Sequence, residues 1–120
     1  MSEDAFIKEY KRAHEHHDIA SAMKLVYWEG VGEDIRRNLR TNLKDDFNLK
    51  IEKLEMLPPA KGEMTQYTLR GKTYKTNLDI SRVFVVHFRP QQGQAQIKYT
   101  KYLIGIKDGK CYITTAVPVK

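Results

Sequence analysis

The stretch Tyr102-Leu103-Ile104-Gly105-Ile106-Lys107-Asp108-Gly109-Lys110-Cys111-Tyr112-Ile113 sets two strand-forming runs around one Asp-Gly pair. Such a pair favours a two-residue hairpin turn, because both of its residues tolerate positive φ. An antiparallel hairpin is therefore expected at the end of the chain, with strands over residues 95–107 and 110–117 and Pro118 closing the sheet. Upstream, residues 80–89 carry Phe84, Val86 and Phe88 on one face and Val83, Val85 and His87 on the other. Apolar side chains on both faces mark a central strand, and the polar residues Pro90–Gln94 form the loop that follows it. Further back, Tyr67-Thr68-Leu69 and Thr73-Tyr74-Lys75 flank Arg70-Gly71-Lys72, the pattern of another tight hairpin. Over residues 49–57 the apolar positions change parity near Lys53, which predicts a bend or bulge before Pro58-Pro59 ends the strand.

Before residue 48 the period is helical. Ser2 caps a first helix reaching about His16, with Phe6, Ile7, Tyr10 and Ala13 on its buried face. Asp18 caps a shorter second helix carrying Ile19, Ala22, Met23 and Val26, and Gly30 and Gly32 end that segment. Glu33 and Asp34 open a third helix, with Ile35, Leu39 and Leu43 in one stripe, ending near Asp46 or Phe47. Three helices followed by strands with short connections make an α+β protein rather than a parallel α/β one. The expected architecture is three N-terminal helices packed on a strongly bent antiparallel sheet, a cone with a central cavity.

At 120 residues and 14.0 kDa the chain suits one core, hence a single domain over residues 1–120. With 41% hydrophobic and 30% charged residues it reads as a soluble globule and not as a disordered or fibrous chain. The N-terminal Met1-Ser2-Glu3-Asp4 lacks the basic start of a signal peptide, and no apolar run approaches the length of a bilayer span. A cytoplasmic location with no membrane partner is expected. Cys111, the single cysteine, can make neither an internal disulfide nor a zinc knuckle. The net charge of +6 is unevenly spread: residues 1–60 carry 10 basic and 12 acidic side chains, residues 61–120 carry 11 and 3. The sheet half thus holds the positive excess and has few carboxylates for acid/base chemistry.

The opening helices, the Tyr27-Trp28 connection, the bent strand Leu49–Leu57 and the terminal hairpin together resemble the nuclear transport factor 2-like superfamily, a cystatin-like α+β cone. The run Leu69-Arg70-Gly71-Lys72-Thr73-Tyr74-Lys75-Thr76-Asn77-Leu78 is similar to uncharacterised bacterial members of it. The resemblance covers essentially the whole chain. It implies a ligand-sized pocket and a homodimer formed through the exposed sheet face, and it brings no assigned activity, since members range from isomerases to non-catalytic binding modules.

Candidate site residues follow from that frame. His87 on the central strand is placed to act as a general base in the pocket or to stand half-exposed beside Arg89, and Asp79 is the one sheet-half acid near a pocket mouth. Tyr27 and Trp28, over the expected cone mouth, and Tyr74 and Tyr102, on the sheet, are candidate ligand-binding residues. His14, His16, His17 and Asp18 suggest a metal cluster, but no fourth ligand stands at diagnostic spacing, so these histidines are expected to interact with the helix C-terminus and no metal is expected. Cys111 follows a turn lysine that would lower its pKa, without His and acid partners in sequence to make it a catalytic nucleophile. Arg36, Arg37, Arg40 and Lys44 are diluted by Glu33, Asp34, Asp45 and Asp46, and no recognised motif accompanies them, which disfavours nucleic acid. No phosphate loop or dinucleotide fingerprint is present, so no cofactor is expected. The reading is a domain that binds a small apolar or anionic ligand or a partner; its alternative is a cofactor-free isomerase or lyase using His87.

Overall fold

The computed structural model describes residues 2–59, 66–69, 71–89 and 99–119. The expected loop Pro90–Gln94, Arg70 and the first residues of the 95–107 strand lie outside them. Three helices come first: α1 (Glu3–Glu15), α2 (Ile19–Met23) and α3 (Glu33–Asp46). The Ser2 hydroxyl accepts from the Ala5 amide at 3.2 Å, which satisfies one of the free donors at the start of α1. Asp18 does the same for α2, accepting from the Ser21 amide at 3.1 Å. Gly32 caps α3 without a side chain, so Glu33 and Asp34 in its first turn answer the helix dipole alone.

Seven strands follow among the described residues: β1 (Ile51–Leu57), β2 (Gln66–Leu69), β3 (Lys72–Thr76), β4 (Arg82–Phe88), β5 (Tyr99–Lys107), β6 (Lys110–Ile113) and β7 (Ala116–Pro118). They form two antiparallel sheets, β1-β4-β5-β6 and β2-β3-β7. The expected bulge lies at the start of β1, where the register against β4 shifts between Ile51 and Lys53. The Asp-Gly turn has positive φ at both positions, 53° at Asp108 and 77° at Gly109, the geometry that matches the twist of its strands. The single strand expected over residues 110–117 is two strands. Thr114 and Thr115 separate them, and β7 leaves β6's sheet to pair with β3, so Pro118 sits inside a ladder opposite Tyr74. Val26 bridges Ile113 in parallel, which anchors the α2–α3 connection to the end of β6.

Phe84, Val86 and Phe88 of β4 face the helices and join Phe6, Tyr10 and Ala13 of α1 in one core. Aromatic rings fill the space between the layers. Phe84 meets Phe6 and Tyr10 edge to face, with ring centroids 5.3 and 5.1 Å apart, and Phe47 lies 4.8 Å from the His14 ring. On the other face of β4, Val83 and Val85 are buried outside this cluster. There the 77–80 segment crosses the sheet so closely that a Cβ on Gly105 would lie 2.6 Å from Leu78 Cβ and 2.9 Å from the Asp79 carbonyl. Only glycine permits that approach.

Candidate functional site

Helix α3 positions the site. Its stripe Ile35, Leu39 and Leu43 points inward, yet only Leu43 of the three is fully buried, because the helix lies over the margin of the core. A cleft of about 330 Å³ opens along one flank, between Ile35, Asn38, Leu39 and Asn42 on the helix and, opposite them, Tyr102 and Ile113 on the strands and Thr115 in the joint between β6 and β7. That volume falls at the lower end of the range for small-ligand sites. Asn38 and Asn42, one helical turn apart, present two amides to it, and Lys101 also borders it.

Beneath the cleft lies a polar centre that the sequence reading did not single out. The Tyr102 side chain is 7% exposed and its ring centroid is 5.9 Å from that of Tyr10, which is fully buried. The two hydroxyls lie close enough to act on each other as donor and acceptor, although the contact does not reach the geometry of an ordinary hydrogen bond. Burial first, and then the Asp46 carboxylate, raise the Tyr102 pKa well above the usual phenol range; burial does the same to Tyr10. Both phenols therefore stay protonated donors. Asp46 is itself 7% exposed and accepts from the Thr100 hydroxyl at 2.8 Å. The helical period contained the signal: Phe6, Tyr10 and His14 follow at i, i+4 and i+8, and Leu43 is followed by Asp46 at i+3.

His14 closes the other side of this centre: it stands in the last turn of α1 as expected, but its ring turns into the core instead of toward the helix carbonyls. It is 3% exposed, packed against Phe47 and Phe88, and its Nε2 lies 2.6 Å from the Leu49 carbonyl oxygen. With Nδ1 unpartnered among the described residues, Nε2 carries the proton and donates it. No group of three or more His, Cys, Asp or Glu side chains is placed to hold a metal among the described residues.

Burial holds the His14 pKa below its ordinary value near 6.5, against the opposing effect of its bond to Leu49. Below pH 6.5 the unfolded chain therefore binds a proton at this position that the folded chain resists. Stability contributed by neutral His14 is complete above that pH and declines as the pH falls below it. Melting temperatures across pH 5 to 8 should fall on the acid side in the parent, and less steeply in His14→Phe. Equal slopes would show that His14 does not contribute.

The structure does not gather the other candidates around one cavity. Tyr102 borders the α3 cleft, Trp28 a groove on the opposite flank of α3, and Tyr74 a shallow depression beside Gly71 and Pro118. Tyr27 packs on Tyr112 and hydrogen-bonds Glu29. His87 lies on the face of β4 away from the helices, where its Nε2 is 2.6 Å from Glu55 Oε1. Glu55 stands across from Val85 on that same face. Asp79 is exposed, three residues before β4 begins, whereas His87 is its sixth residue. At about 3.3 Å per residue the strand alone puts about 16 Å between Arg82 and His87. Cys111 is buried and its pKa is raised by burial, the reverse of activation by the turn lysine.

Comparison of the chain with protein-family models, with curated proteins and with solved structures finds no match. No helix among the described residues is long and apolar enough to cross a membrane.

Proposed function

We propose that this chain is a small-ligand-binding module of the nuclear transport factor 2-like type, which takes its ligand in the cleft between α3 and the β5–β7 end of the sheets. The carrying observation is the buried Tyr102 hydroxyl, without a regular hydrogen bond, beneath a cleft walled by apolar side chains and two asparagine amides. With only the poorly aligned Tyr10 hydroxyl beside it this buried donor is under-satisfied, and a ligand acceptor that reaches it improves on that contact. The ligand is a compact, largely apolar molecule with one acceptor for Tyr102 and polar edges for Asn38 and Asn42. The family resemblance adds pairing of two copies through the part of the sheet face that the 77–80 segment leaves open, around His87 and the exposed Tyr99. Isomerase or lyase chemistry at His87 and Asp79 receives no comparable support, because His87 faces away from the helix layer.

A fragment library screened by amide NMR tests the reading. Ligands should shift Asn38, Asn42, Leu103 and Thr115, and Tyr102→Phe should weaken them about 2- to 10-fold, the worth of one hydrogen bond. Shifts confined to other regions, or equal affinity in Tyr102→Phe, would count against the cleft. Sedimentation should give twice the chain mass, reduced to one chain by Tyr99→Lys; a monomeric parent removes the pairing.

A further inference from the structure

On the opposite flank of α3 the same helix borders a second groove, of about 660 Å³, shared with α2 and the Trp28 connection. Its bed is apolar: Ile19, Met23, Val26 and the half-buried Trp28 ring. Its rim is cationic, made of Lys24, Arg36, Arg37 and Arg40 against the single acid Glu33. Elsewhere Arg12 pairs with Glu9 at 2.6 Å and Arg82 with Glu3 at 3.1 Å, while Arg89 stands without an ion pair among the described residues. At the groove, Arg37 reaches Asp34 at 3.8 Å, but Lys24, Arg36 and Arg40 form no ion pair among the described residues. Arg36 instead lies over the Trp28 ring, 5.1 Å from its centroid. The Trp28 indole N–H donates to the Met23 carbonyl at 2.8 Å. Ring and guanidinium are thereby held before anything binds.

From this juxtaposition we infer that the α2–α3 groove binds an amphiphilic organic anion, an apolar chain or ring laid along Ile19, Met23 and Trp28 with its carboxylate or phosphate held by Arg40 and Lys24. Arg40 and Lys24 line the same groove from α3 and from the end of α2, so two cations address one head group. An uncharged ligand would leave the cationic rim without a counter-charge, and a bare anion would leave the apolar bed wet. The groove's volume lies within the small-ligand range. Ten side chains line it, fewer than the roughly 20–30 residues per side of a stable protein interface, which favours a small molecule over a folded partner.

Trp28 is the only tryptophan and reports directly on the groove. The probe is decanoate below its micelle concentration, titrated against the full chain while Trp28 fluorescence is followed. A saturable change is expected, with affinity falling roughly tenfold or more in Arg40→Glu and in Lys24→Glu, as expected for a lost charged contact. Both positions are exposed, and unchanged circular dichroism together with the milder Arg40→Gln separates lost binding from lost folding. Decanol should bind at least roughly tenfold more weakly than decanoate, and inorganic phosphate should give no saturable change. Equal response to decanol or to phosphate overturns the inference, as does undiminished binding in Arg40→Glu. Tighter binding of an acidic amphipathic peptide or of anionic vesicles than of decanoate would assign the groove to a macromolecular surface and overturn it too.

Discussion

Replacing Phe84 by alanine should remove about 3–5 kcal/mol of folding stability, the cost of deleting a fully enclosed phenyl ring. Phe84 has no exposed surface, and among the described residues it meets Phe6 and Tyr10 edge to face and Tyr102 in a stacked arrangement with centroids 6.4 Å apart. Those partners come from α1 and β5, so the ring joins the helical layer to the centre of the sheet. Because they are themselves held by further contacts, the void can collapse only partly. A domain of this size has about 5–15 kcal/mol in total, so the variant should melt far below the parent. Val85→Ala, on the opposite face and outside the helix-side cluster, should lose much less. Urea unfolding followed by circular dichroism measures both. A loss under about 1 kcal/mol for Phe84→Ala would contradict a continuous aromatic core.

Asn77→Ala is expected to have the next largest effect, about 2–3 kcal/mol, for a reason unrelated to packing. The Asn77 amide nitrogen donates to the Tyr27 carbonyl at 2.7 Å and to the Thr115 hydroxyl at 2.8 Å, with a longer contact to the Glu29 carbonyl at 3.3 Å. Its oxygen accepts from the Thr115 amide at 3.0 Å. Three oxygens around one end and an N–H at the other leave a single sensible orientation of the amide. This one side chain ties together the α2–α3 connection, the end of β3 and the joint where the chain passes from β6 to β7. Alanine orphans the Thr115 amide, which belongs to a residue only 7% exposed. Asn77→Asp is the sharper variant: it keeps the volume but turns a donor into an acceptor facing three oxygens. At pH 7 it should destabilise at least as much as alanine. If aspartate is tolerated as well as asparagine, the network does not support the joint. The α3 cleft includes Thr115, so Asn77 variants should also disturb ligand binding there without touching the ligand.

Helix boundaries were legible because capping and period are local. Ser2, Asp18 and Glu33 stand at the starts the sequence implies, and the three helices end within a residue or two of where the pattern breaks, save α2, which stops at Met23. The Asp108-Gly109 turn was equally local. The break of the last strand at Thr114 and Thr115 was not, because neither threonine disfavours a strand. It is imposed by Asn77 and the Tyr27 carbonyl, which are 38 and 88 residues away in sequence. The site was less legible than the fold. Tyr102 was found as a strand tyrosine and candidate ligand contact, whereas Asp46 read as part of a solvated helix face and His14 as a histidine serving the helix C-terminus. Their burial depends on α1 and α3 both covering β4 and β5, which no single segment encodes.

The charge asymmetry illustrates the same division. Composition alone places the positive excess in residues 61–120, yet the basic groove of the molecule is built from Lys24, Arg36 and Arg40 in the near-neutral half. Formal charge counted along a chain ignores pairing, and it is pairing in space that leaves some cations without partners. By itself, then, the sequence determined what depends on neighbours within a few residues: helices first, strands after, one Asp-Gly hairpin and a bulged first strand. Tertiary structure alone decided which faces meet, which polar groups are sealed in without partners, and which flanks of α3 stay open. Burial and electrostatic pairing are properties of distances across the fold, set only once the layers have packed.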